Sequence, residues 1–221
     1  MATLTQTRVP TTVNPFRRSF EIIRADLGAY FVLNAIYYGL VILGMIYVTF
    51  FDPGLQTTLL QAAGKAFTEG PLSALGSAYD GGQVISAIVL TFLVNLFLGT
   101  LIEISVPALI IPFSGLLMGL LRASLWGLLL APTTPNLAGP MIPHSLTLLI
   151  EGQAYVLAML AVYIQGKAFI WPAAYGQIGH LRGYVEGLRR TGGIYVLVTL
   201  ALAVAAIYEA LEVIFLAPLL R

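Results

Sequence analysis

Between Asp26 and Asp52 the chain runs through LGAYFVLNAIYYGLVILGMIYVTFF without one charged side chain. A helix needs about 20 apolar residues to cross the hydrocarbon of a bilayer. The run from Leu27 to Phe51 supplies a first span, and Val84 to Ile102, closed by Glu103, supplies a second. The stretch from Ile104 to Leu130 is too long for a loop, and Pro107 and Pro112 disfavour a continuous helix through it. The expectation is a tight turn between Glu103 and Pro112 and a third span over 108–130. Pro132, Pro135, Pro140 and Pro143 then mark a loop from Ala131 to Pro143. A fourth span is expected over 145–165 and a fifth over 193–216.

Composition requires the same solvent. Only 10% of the 221 residues are charged and 58% are hydrophobic, against about 25% charged in a soluble domain. So few charges cannot cover a water-facing surface. The expected fold class is an all-α, polytopic helix bundle in one membrane domain, residues 15–221, behind a polar tail, residues 1–14. The first apolar run has no small-residue cleavage site after it, so it reads as an uncleaved start-transfer helix. A net charge of +1 gives no argument for nucleic acid. The absence of cysteine excludes disulfides, thiolate metal sites and cysteine nucleophiles.

Arg8, Arg17, Arg18 and Arg24 flank the first span, and Lys167, Arg182, Arg189 and Arg190 lie between the fourth and fifth. Five spans place both groups on one side, so eight of the eleven basic residues gather there. The excess predicts an N-terminus inside and a C-terminus outside. Two segments on that side are amphipathic. In residues 15–26, Phe16, Phe20, Ile23 and Leu27 share a face; in 172–190, Ile178, Leu181, Val185 and Leu188 do. Each would lie on the cytoplasmic leaflet, its arginines meeting anionic lipid, or pack as a linker helix on the bundle. Asp52 to Gln83, with Leu55, Leu59, Ala63 and Phe67, reads as an outer interfacial helix broken at Gly70-Pro71.

Ionisable groups inside spans cost several kcal/mol unless paired or wet, so they mark function or structure. Arg122 lies near the middle of span three, Glu151 about two turns into span four, and Glu209 and Glu212 share a face of span five. An Arg–Glu network is the economical arrangement, with Glu151 the expected partner of Arg122 and Glu209 the next. It reads either as a clasp between three helices or as a proton or ion pathway. Gly115, Gly119, Ala123 and Gly127 place a small residue at every fourth position of span three, a stripe that lets another helix approach closely. The neighbour is either another helix of this chain or a second copy. Asn34 and Asn95 are expected to bond between helices, and His144 to be an interfacial hydrogen-bonding residue. His144 and His180 fall on opposite sides of the membrane and cannot share a metal. No enzyme motif is present: no Gly-x-Ser-x-Gly, His-Glu-x-x-His, phosphate loop or aspartate pair. No catalysis, cofactor or metal is expected.

Three local patterns carry a family likeness. Asn95 precedes Ser114-Gly115-x-x-x-Gly119; Pro143-His144 precedes Glu151-x-x-Ala154; and Ala205-Ala206-x-x-Glu209 closes the last span. Together they resemble the stage II sporulation protein M family of prokaryotic membrane proteins, over residues 85 to 218. Thr147 stands at the family's histidine position and Ser114 at its asparagine. The resemblance implies a non-catalytic scaffold or accessory subunit in a prokaryotic cell membrane, with lipid and other membrane subunits or further copies of itself as partners. The alternative is a small transporter or permease component with the buried glutamates on its pathway. A hydrated cavity reaching Glu151 or Glu209 favours the second; a dry, fully paired network favours the first.

Overall fold

A computed structural model of the chain describes residues 14–220. The expected polar tail lies outside the described residues except for Asn14, whose side chain accepts from Phe16 N–H at 3.0 Å and caps the first helix. Among the described residues every regular element is a helix: α1 (Pro15–Ala25), α2 (Leu27–Phe50), α3 (Pro53–Thr68), α4 (Ser73–Asp80), α5 (Val84–Leu93), α6 (Val106–Ile110), α7 (Ser114–Leu130), α8 (Pro135–Ile170) and α9 (His180–Leu211). Four helices are long and apolar enough to cross a membrane: Leu27–Phe50, Val84–Ile110, Pro135–Ile170 and His180–Leu220. Between the second and third of them runs α7, with 17 residues.

Three boundaries differ from the sequence expectation. The turn expected between Glu103 and Pro112 is a continuous helix as far as Ile110. Its middle, Val94–Ser105, is wound as a π-helix, and Val106 N–H reaches back to the carbonyl of Leu101. Pro107 follows where the ladder is already widened. The chain turns instead at Ile111–Phe113, where Phe113 takes a left-handed backbone (φ 68°). The helix expected over 108–130 therefore starts at Ser114, as α7.

The four-proline loop is likewise mostly helix. α8 begins at Pro135 and runs through Pro140 and Pro143. Pro135 sits at the first turn, where no N–H is needed. Higher up, neighbouring hydroxyls bond the local carbonyls: Tyr208 Oη donates to Pro143 O at 3.1 Å and Ser145 Oγ to Ile142 O at 2.7 Å. The expected amphipathic segment 172–190 divides into a short 3-10 turn, Pro172–Tyr175, and the first turns of α9, which continue without a break into the last span. Ile178, Leu181, Val185 and Leu188 remain exposed. In α1 the expected stripe is split. Ile22, Ile23 and Ser19 face inward, Ser19 Oγ donating to Gly193 O at 2.5 Å, while Phe16, Phe20 and Leu27 are exposed.

The central element is α8. Of its most apolar window 78% is buried inside the bundle, against 22–33% for the other three long helices. Hydrophobic on all sides, it suits the position enclosed by neighbours on every side. Around it, apolar residues of α2, α7 and α9 form one core with Tyr37, Met159, Leu160 and Ile164 fully buried. The bundle has two distinct ends. At the end carrying α1, Lys167 Nζ pairs with Asp26 at 2.6 Å and Tyr175 Oη donates to the other Asp26 oxygen at 3.2 Å. Burial and the adjacent Asp26 raise the Tyr175 phenol above its ordinary pKa, so it stays a neutral donor. The opposite end carries α3 and α4.

The stripe on α7 is used within the chain. Gly115, Gly119, Ala123 and Gly127 are all buried. A Cβ at Gly115 would collide with the carbonyl of Ile104, one at Gly119 would stand 2.6 Å from Met159, and one at Gly127 would collide with the carbonyl of Val41. Gly44 on α2 faces the Gly127 backbone in turn, and a Cβ there would stand 3.1 Å from it. The stripe thus faces α2, α8 and the π-wound helix, and is not open to a second copy. Because the atoms at Gly127 are backbone, Gly127→Leu should separate α2 from α7 at a cost of about 1–3 kcal/mol or more. A melt in detergent should show a clear loss of thermal stability. An unchanged melting temperature would contradict the packing.

Candidate functional site

Arg122 lies in the middle of α7 and must find acceptors inside an apolar bundle. The π-wound segment provides them. Asn95, Gly99 and Glu103 are spaced four apart, and the wide winding keeps such residues close to one face. Arg122 Nη1 pairs with Glu103 Oε2 at 2.5 Å, and Nη2 donates to Tyr155 Oη at 2.7 Å and approaches Asn95 Oδ1 at 3.5 Å. The guanidinium also lies 4.3 Å from the centre of the Tyr155 ring and 5.6 Å from that of Trp126. Gly99 makes room, since a Cβ there would stand 2.7 Å from Tyr155 Oη and 3.1 Å from Arg122 Nη2.

This corrects the expected Arg122–Glu151 or Arg122–Glu209 ion pair. Glu103 was placed at the end of the second span, but the helix continues past it, so Glu103 falls beside Arg122. Glu151 is reached through Tyr155 alone. The Tyr155 hydroxyl is 3.0 Å from Glu151 Oε1 and 2.8 Å from Asn95 Oδ1, with one proton to share between them. Neither Tyr155 nor Gly99 carried a signal in the sequence beyond being apolar-compatible residues within spans. Asn34 does bond between helices, accepting from Gln153 Nε2 at 2.6 Å.

Glu209 and Glu212, expected on one face, serve adjoining spaces on either side of His144. Glu212 is buried; its Oε2 is 2.9 Å from His144 Nδ1 and accepts from Thr147 Oγ1 at 3.2 Å. Glu209 makes no ion pair among the described residues, and the Tyr79 hydroxyl, 2.7 Å from Thr91 Oγ1, stands beside its carboxylate. It lines a cavity of about 370 Å³ together with Glu151, Arg122, His144, Asn95 and Trp126. The cavity is roofed by Leu60, Ala63 and Phe67 of α3 and Leu75 of α4. Gln56 holds that roof in place. Its Nε2 donates to the α7 carbonyl of Leu129 at 3.0 Å and to Ala131 O at 2.8 Å, and its Oε1 accepts from Thr133 at 2.6 Å.

Two further spaces adjoin this cavity through shared wall residues. One of about 480 Å³ shares Leu60, Leu129, Leu130 and His144 with it and reaches Glu212. The next, about 490 Å³, shares Leu60 and Leu137 with that one and is edged by Thr57, Gln61, Thr133 and Thr134. Val156, Met159, Leu160 and Ile164 are fully buried and form an apolar layer below Tyr155. The polar network is not closed: Arg122 Nε and Tyr37 Oη are buried without a hydrogen-bond partner.

Comparison with known proteins finds no match: no family model, no curated protein and no solved structure matches the chain.

The Arg122–Glu103 pair predicts strong non-additivity. Arg122→Leu or Glu103→Leu alone leaves an unpaired charge in the bundle, a loss of about 3–5 kcal/mol. The double substitution should lose much less than the sum. Thermal melts of the two single variants and the double variant close the cycle, and additive losses would contradict a direct pair.

Proposed function

We propose that this chain is a small transporter or permease component in which the cavity between α3, α7, α8 and α9 is the binding site. The cavity lined by both Glu151 and Glu209 carries this reading. Carboxylates in a bundle of apolar helices are costly, and a merely structural network would be expected to consume them in pairs. Here Arg122 is matched by Glu103, which leaves Glu151 and Glu209 without a cationic partner among the described residues. Protons or a cationic solute complete their charge. The graded approach from the Thr- and Gln-edged space past His144 supports entry from the α3 end, and the apolar layer below Tyr155 supports closure toward the α1 end.

In this reading α7 crosses with the four longer helices, giving five spans in a prokaryotic cell membrane. Arg17, Arg18, Arg24, Lys167, Arg182, Arg189 and Arg190 lie at the α1 end, so that end is cytoplasmic and the α3 end external. Oligomeric partners stay compatible with either role.

Orientation is testable by single-cysteine labelling in this cysteine-free chain. A cysteine at exposed Ser77 should react with an impermeant reagent on intact cells, and one at exposed Ala174 only after permeabilisation. The reverse pattern would invert the assignment. For transport, purified protein in liposomes containing a pH-sensitive dye should dissipate an imposed proton or cation gradient faster than empty liposomes. Glu151→Gln and Glu209→Gln should each abolish the excess rate. Flux no faster than in empty liposomes would remove the transport reading and leave the scaffold role that the sporulation-protein resemblance implies.

A further inference from the structure

The geometry points to a small organic cation, an ammonium on an apolar aromatic body, as the occupant of the cavity at Glu151 and Glu209. The inference rests on reading that cavity as a binding site and names the chemistry it selects. A pocket for a small molecule is typically about 300–1,000 Å³, mostly apolar, with a few convergent polar groups. At about 370 Å³ this cavity is at the lower end, and Phe67, Leu72, Leu75, Val94, Trp126 and Leu129 provide apolar wall. A bare metal cation is a poor fit. Calcium takes about 6–8 oxygen ligands, and the wall offers few that are free. Thr91 Oγ1 is engaged with Tyr79 Oη at 2.7 Å, and Asn95 Oδ1 faces Tyr155 and Arg122.

The charge balance selects the sign. Arg122 is neutralised by Glu103 at 2.5 Å. Glu151 is only 4% exposed, and only its Oε1 has a hydrogen-bond partner among the described residues, so Oε2 is a free acceptor in a residue that lines the cavity. Glu209, on the facing helix, has no ion-pair partner among the described residues, stands beside the Tyr79 hydroxyl and lines the same space. Two carboxylates on one cavity, one of them with a free oxygen, and Trp126 beside them form a receptor for a cation with an aromatic or aliphatic body. An anion would meet two like charges, and a neutral alcohol would give Glu151 Oε2 a hydrogen bond without the balancing charge.

The test is calorimetric titration of the full chain in detergent with three probes of nearly one shape: 1-naphthylmethylammonium, 1-naphthylmethanol and 1-naphthoate. The ammonium should bind with 1:1 saturation and at least about tenfold more tightly than the alcohol, which one charge-assisted hydrogen bond supplies. The carboxylate should not bind. Glu209→Gln and Glu151→Gln should each remove most of the preference for ammonium over alcohol, and Trp126→Leu should weaken both. Glu209→Gln breaks no ion pair and keeps an acceptor for the Tyr79 hydroxyl, so it remains informative if Glu151→Gln fails to fold. Equal binding of ammonium and alcohol, binding of the carboxylate, no saturable binding of any probe, or an undiminished preference in Glu209→Gln would overturn the inference. If gradient dissipation in liposomes survives while the ammonium fails to bind, the site handles protons or inorganic ions and this inference alone falls. If the ammonium binds with the expected preference but no flux occurs, the cation site stands without transport.

Discussion

The structure turns on one guanidinium placed half-way along an apolar helix. Arg122 sits mid-way along the shortest of the apolar helices, so its charge and hydrogen bonds must be met by neighbours. The surrounding features are those that meet it. The π-wound stretch of Val94–Ser105 presents Asn95 and Glu103 together. Gly99 between them leaves the backbone bare where the guanidinium and the Tyr155 hydroxyl converge. Tyr155, fully buried on the central helix, offers both a ring face and a hydroxyl. Asn95, Gly99 and Glu103, four residues apart, share the face that meets Arg122.

Satisfying Arg122 from one side has a consequence on the other. Because Glu103 takes the ion pair, Glu151 and Glu209 face a space instead of a cation. The space exists because α3 and α4 lie across the end of the bundle as a roof, anchored by Gln56 on the last carbonyls of α7. Those carbonyls have no partner within their own helix, so the same contact both caps α7 and sets the cavity height. His144 lies between the cavity and the outer space that holds Glu212. A pairing of Arg122 with Glu151 would have given a closed clasp; the observed pairing gives an open, acid-lined chamber with a graded approach.

The small-residue stripe was legible because its physics is local. Glycine and alanine every fourth position put a groove on one face whatever the partner, and the partners proved to be α2, α8 and the π-wound helix. The prolines misled for the opposite reason. Proline removes a donor and crowds the preceding turn, which ends helices in water. Inside this bundle Pro107 follows a widened turn, and Pro140 and Pro143 are carried within α8. The Arg122 partner was missed by the same route: ending the second span at Glu103 put that carboxylate outside the bundle.

The sequence by itself determined the solvent and the class. Apolar runs long enough to span a bilayer, a scarcity of charge, and basic residues crowded into two segments are properties of composition and order, and no packing detail alters them. It also marked Arg122, Glu151, Glu209 and Glu212 as the residues to explain, because ionisable groups are expensive wherever an apolar helix goes. Which of them meet was decided only by the tertiary structure. Partner choice depends on the rotation of each helix about its axis and on a change of winding within one of them. Both are set by side chains far apart in the chain, and a shift of one residue around a helix is enough to exchange a salt bridge for a cavity wall.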